Sequence, residues 1–245
     1  MDLSGRIPPD LGNLSFLVSF DLESNNFHGN LPQEMTCLRR LKFLDLSFNN
    51  FSGKVPWFRF LHQVHVLSLR NNSFTGSLPS SIFNISTLEM LNLAFNSLEG
   101  HIPVSLSYAS RLQMLELSYN SIKGDIPDGI GNLPNMNWLS IQHNQLTGSI
   151  SFTVLNISRI EIIAFTGNSL SGNLPNGLCN GFPILKELYL SGNKLFGHMP
   201  TSLPNCSQHQ VLSLSKNEFD RPIHCEIGRL SNLQQLYLGA NHFQG

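Results

Sequence analysis

Apolar side chains in this 245-residue chain recur on a fixed frame. The frame is set by Asn25, Asn49, Asn72, Asn96, Asn120, Asn144, Asn168, Asn193, Asn217 and Asn241, at intervals of 23 to 25 residues. Three positions before each Asn the residue is apolar (Leu46, Leu117, Phe165, Leu238), and so is the residue five before (Leu44, Leu115, Ile163, Leu236). These columns are two apart, the strand period, which predicts a short strand with both side chains inward. One strand per repeat predicts a parallel sheet that advances about 4.8 Å per coil. The Asn then turns the chain inward, where its amide can bond backbone groups of neighbouring coils that burial would otherwise leave unpaired. The second half of the repeat reads xLxGxIP, as in Leu98, Gly100, Ile102 and Pro103 or Ile122, Gly124, Ile126 and Pro127. Gly there permits a bend, and Pro holds extended backbone before the next short turn.

A period near 24 with this Leu spacing predicts stacked coils forming one elongated domain over residues 1–245. The fold class is an α/β-type leucine-rich-repeat solenoid: a right-handed superhelix of about ten coils, with the parallel sheet on the concave face and an irregular or 3-10 convex side. The xLxGxIP half-coil resembles the plant-specific leucine-rich repeat of receptor-like kinase and receptor-like protein ectodomains. Segments such as Leu46-Ser47-Phe48-Asn49, Asn205-Cys206-Ser207 and Ile227 to Leu233 resemble most the immune-receptor subfamily that includes the flagellin and elongation-factor receptors. Counting back from Asn25 places Met1 at a further ladder position, and Gly245 also falls mid-repeat. Terminal coils carry caps, so the expectation is a fragment cut mid-repeat at both ends. Ser151 and His224 stand where other coils have Pro, Arg221 where they have Gly, and His209 in an apolar column. The 23-residue coil loses a residue near Trp57, and the 25-residue coil gains one near Cys179.

On the strand, positions six, four, two and one before the Asn point outward. The first of these columns is apolar over six consecutive coils: Phe43, Val66, Met90, Met114, Trp138 and Ile162. Five intervals make that stripe about 24 Å long, and an exposed apolar stripe of this kind marks an interface. Glu116 lies beside it, and Phe48, Asn71, Phe95, Tyr119, His143 and Lys216 lie next to the ladder. Aromatic and Met anchors among polar groups suit protein or peptide recognition. The expected ligand-binding residues are Phe43, Met90, Phe95, Met114, Glu116, Tyr119, Trp138, His143 and Ile162. The bland alternative is ordinary packing between neighbouring coils.

Other features bound the chemistry. With 15 basic and 16 acidic residues, nothing calls for a nucleic-acid partner. No apolar run approaches the roughly 18 residues of a membrane span, and the N-terminus lacks the charged-then-apolar pattern of a signal peptide. Cys37 lies six coils from Cys179, too far for a disulfide. Cys179 with Cys206 is the first choice of pair, Cys206 with Cys225 the second, and four small buried thiols the alternative. Sequons at Asn13, Asn50, Asn71, Asn84, Asn156 and Asn205 fit an extracellular glycoprotein, although four share one repeat phase and are partly repeat consensus. His62 with His65 and His224-Cys225 near Cys206 are incomplete as metal sites, and His209 reads as a poorly packed core residue. No metal, cofactor, Gly-rich phosphate loop or kinase motif is indicated, so no enzymatic activity is expected of this chain.

The resemblance implies the ligand-recognition part of a plant receptor-like serine/threonine kinase at the plasma membrane, facing outward and acting in immune or developmental signalling. It also implies a peptide or protein ligand and a leucine-rich-repeat co-receptor kinase. The alternatives are a receptor-like protein without a kinase and a secreted inhibitor resembling the polygalacturonase inhibitors.

Overall fold

The computed structural model describes residues 3–55 and 61–244. The shortened coil near Trp57 and the ladder position at Met1 fall outside them. Among the described residues, ten three-residue strands from Ser19–Asp21 to Gln235–Tyr237 pair in chain order as one parallel sheet. The register steps one repeat at a time, with Leu44 opposite Leu67 and Leu115 opposite Leu139. From Leu44 to Leu214 the inward columns pack into one continuous core together with Phe51, Phe74, Phe83 and Phe219, while Leu236 in the last coil is 42% exposed.

The Asn ladder satisfies the backbone where each strand ends. Asn120 Nδ2 donates to the carbonyls of Leu93 (3.0 Å), Leu117 (3.1 Å) and Ser118 (3.3 Å), while its Oδ1 accepts the Leu98 N–H at 2.9 Å. Leu93 and Leu98 belong to the preceding coil, so one amide ties two coils together. Asn49, Asn144 and Asn217 repeat the pattern. The turn that aims each Asn inward puts the preceding residue in left-handed backbone: Phe48 (φ 55°), Phe95 (φ 56°), Tyr119 (φ 56°) and His143 (φ 49°) share it with Gly167 and Gly192. That geometry is uncommon for bulky residues.

After the turn the chain forms a second strand, where the sequence pattern predicts only a bend. Seven such strands, Ser4–Gly5 through Gln145–Thr147, make one sheet, and Ser171–Gly172, Lys194–Gly197 and Glu218–Phe219 make another. The isolated bridge Ser149 to Ser171 and the bond from Ser169 N–H to Leu146 O at 2.8 Å span the break. Gly124 shows why the repeat needs glycine: its φ is +79°, and a Cβ would collide with the His101 ring of the preceding coil. Where Arg221 replaces the Gly, the strand is two residues long and ends at Phe219.

Pro then launches a five-residue 3-10 helix. Pro103 (φ −67°, ψ 143°) precedes Val104–Tyr108 and accepts the Leu106 N–H at 3.0 Å. Ser151 and His224 hold the same extended geometry (φ −63° and −67°) without a proline ring. In the 25-residue coil the added residue is absorbed by a single α-turn, Leu178–Gly181, closed by Gly181 N–H to Gly177 O at 3.3 Å.

Candidate ligand-binding site

The ten-strand face carries the outward columns. Phe43, Val66, Met114, Trp138 and Ile162 are half-buried and Met90 is exposed. One column in, Ser68, Ser140, Ala164 and Ser213 are small and buried, interrupted by Asn92, Glu116 and Tyr189. These small residues make a low floor beside the taller apolar row.

Glu116 has a supporting position. It is buried, its Oε1 accepts the Ser118 N–H at 3.0 Å, and its Oε2 accepts Trp138 Nε1–H at 3.3 Å. Both oxygens are thus engaged within the chain, and the residue orients the Trp138 indole. Further along, Tyr189 donates its hydroxyl to Glu187 at 2.9 Å. Burial, and then the Glu187 carboxylate, push the Tyr189 pKa up to about 12.

The left-handed column forms a ridge. Phe95 and Tyr119 stack at 4.2 Å and Tyr119 and His143 at 4.5 Å between ring centroids. Phe95 and Tyr119 are about two-fifths exposed. The column places Asn71 between Phe48 and Phe95, and there Arg70 fills the ridge instead. Its guanidinium carbon lies 5.5 Å from the Phe48 ring centre and 5.2 Å from that of Phe95, within cation–π range. The Arg70 Nε is enclosed without a hydrogen-bond partner among the described residues. Sequence reasoning does not single out Arg70, because a lone Arg in a column of Ser47, Ala94 and Ser118 carries no pattern. At the other end His143 leans over Gly167, whose missing side chain leaves room for the ring. The sequence-predicted residues therefore fall into two rows: Phe43, Met90, Met114, Trp138 and Ile162 on one side, and Phe95, Tyr119 and His143 on the other.

Cys179 and Cys206 form a disulfide with Cα atoms 5.0 Å apart, while Cys37 is an exposed thiol. His209 is fully buried with Nδ1 3.4 Å from the Leu185 carbonyl, and its Nε2 has no partner among the described residues. Desolvation lowers its pKa to about 4. All six sequon asparagines are exposed, and Asn13, Asn84, Asn156 and Asn205 each close a 3-10 helix. Asn71 instead stands in the ridge. Among the described residues no helix is long and apolar enough to cross a membrane.

A leucine-rich-repeat family profile matches residues 40–61, 63–85, 87–109, 111–133 and 185–206. No curated protein sequence matches the chain. Solved structures do. The Arabidopsis receptor kinase HAESA, in complex with the peptide hormone IDA and the co-receptor SERK1, is 32% identical with a TM-score of 0.94, over 99% of this chain and 41% of that one. The plant peptide hormone receptor RGFR1, in complex with RGF2, is 29% identical with a TM-score of 0.88, over 99% and 43%. A plant ice-binding protein is 27% identical with a TM-score of 0.85, over 99% and 78%.

Repeat, sheet topology and Asn ladder define a leucine-rich-repeat solenoid. In that fold it is similar to the ectodomains of the plant leucine-rich-repeat receptors HAESA and RGFR1. The chain spans about two-fifths of the length of those receptor structures.

Proposed function

We propose that this chain is the ligand-recognising part of a plant cell-surface receptor, and that its ligand is an extended peptide lying along the ten-strand face. The observation that carries the reading is the pair of rows on that face: an apolar row centred on Met114 and Trp138, and an aromatic ridge of Phe95, Tyr119 and His143, with buried Ala94, Glu116, Ser118 and Ser140 between. Ten strands span about 43 Å, enough for roughly 13 extended residues. A preformed surface loses little entropy on binding, so a few anchors can supply affinity.

The receptor would act at the outer face of the plasma membrane as a glycoprotein, in immune or developmental signalling. A serine/threonine kinase in the intact protein and a leucine-rich-repeat co-receptor complete the proposal. The HAESA complex, whose partners are a peptide hormone and a co-receptor, supports it by similarity.

The test is selection of a phage-displayed random peptide library on the purified protein. Enriched peptides are expected to lose affinity by about tenfold or more for Trp138→Ala and Tyr119→Ala. Circular dichroism reports whether each variant is folded. Failure to enrich any peptide, or peptides that bind both folded variants unchanged, would sink the proposal.

A further inference from the structure

A cleft of about 850 Å³ lies away from the ten-strand face, where the second sheet breaks between Gln145–Thr147 and Ser171–Gly172. Two rows of side chains wall it. Five residues after successive ladder asparagines come Asp125, Ser149, Asn173 and His198; eight after come Asp128, Phe152 and Asn176. Ile126, Ile150 and Leu174 form the floor between the rows. Phe152 is 70% exposed. Asp128 and Asn176 take the equivalent positions in the coils before and after it, about 4.8 Å away along the stack.

The hydrogen-bonding capacity of these walls is largely unspent. Asp125 Oδ1 accepts the Thr147 hydroxyl at 3.1 Å, and Ser151 Oγ accepts Thr153 N–H at 3.3 Å. Asp128, Asn173 and Asn176 have no side-chain partner among the described residues. Planar carboxylates and amides offer paired acceptors and donors at the spacing of adjacent hydroxyls. An exposed ring between them offers an apolar face. The lining has two carboxylates and neither Lys nor Arg, which disfavours anions.

The geometry points to a binding site for a neutral oligosaccharide. One edge of the sugar chain would bond Asp125 and Asn173, the other Asp128 and Asn176, and the C–H face of one residue would rest on Phe152. The volume falls within the range of ligand clefts, roughly 300–1,000 Å³. This site goes beyond the proposed peptide face and shares no residue with it, so either can fail alone.

Isothermal titration of the whole protein with cellohexaose, mannohexaose, xylohexaose and oligogalacturonate tests it. At least one neutral hexasaccharide is expected to bind saturably. Phe152→Ala and Asn173→Ala should each weaken that binding by about tenfold or more, while Phe152→Trp should retain it and oligogalacturonate should bind more weakly. Phe152 and Asn173 are exposed, so the thermal midpoint should hold in both variants. Absence of saturable binding by every neutral hexasaccharide overturns the inference. So does binding that survives both substitutions, or tighter binding of the galacturonate.

Discussion

The rings of Phe95 and Tyr119 lie 4.2 Å apart with an interplanar angle of 13°, and both residues are held in left-handed backbone at φ 56°. Stacking and strain meet in the same pair. A bulky residue in that backbone region is costly, by about 1–3 kcal/mol, while a stacked aromatic pair returns about 0.5–1.5 kcal/mol beyond its burial. Tyr119→Ala keeps the strain and loses the stacks on Phe95 and His143, so it should destabilise by about 1–3 kcal/mol. Tyr119→Gly loses the stack but relieves the strain, and should unfold at or above the midpoint of the Ala variant. Thermal melts of the two variants decide it; a Gly variant clearly less stable than the Ala variant contradicts the account.

Removing one ladder amide should cost far more. Asn120→Ala strips partners from the carbonyls of Leu93, Leu117 and Ser118 and from the Leu98 N–H. Losing these partly buried contacts is expected to cost about 2–4 kcal/mol in denaturant unfolding. Asn120→Asp should be no better, because a carboxylate would face three carbonyl oxygens. A near-neutral Asn120→Ala would show that water replaces the amide.

Acid should destabilise the fold through His209. Its imidazole is buried neutral with a pKa of about 4 against an ordinary 6.5, so below pH 6.5 the unfolded chain takes up a proton that the folded chain refuses. That stability is fully present above about pH 6.5 and is lost as pH falls toward 4, by up to about 3 kcal/mol. His209→Leu restores the apolar column and should flatten the profile across this window while raising stability at pH 5. Parallel pH profiles for the two proteins would rule His209 out as the cause.

The Cys179–Cys206 bridge closes a sequence separation of 27 residues. Cross-linking a loop of that size is worth about 3–4 kcal/mol on a chain-entropy basis. Cys179→Ala with Cys206→Ala should lower the denaturation midpoint, and a reductant should lower that of the native chain but not of the double variant. Non-reducing peptide mass spectrometry is expected to recover the two cysteines in one linked fragment; a Cys206–Cys225 fragment would favour the second pairing.

Much of this was legible from spacing alone, because a strand with two buried columns requires apolar residues two apart at every turn. Spacing alone puts Leu44 and Leu115 inside, and both are fully buried. Similar phase in consecutive coils made Cys179–Cys206 the first choice of pair, and the structure decides it against Cys206–Cys225 and free thiols. Glu116 was harder: an outward phase predicts exposure, yet the Trp138 indole of the next coil covers it and takes its second oxygen. Arg70 was not visible, since its importance lies in having Phe48 and Phe95 on either side.

The sequence by itself determined the coil, its period, its core and the Asn ladder. Those features repeat, and each depends on contacts within a coil or with the next one. Only the tertiary structure decided the handedness of the ladder turns, the second strand after each turn, the Arg70-centred ridge and the cleft around Phe152. These depend on how side chains of adjacent coils share space, a property of stacked surfaces that no single repeat contains.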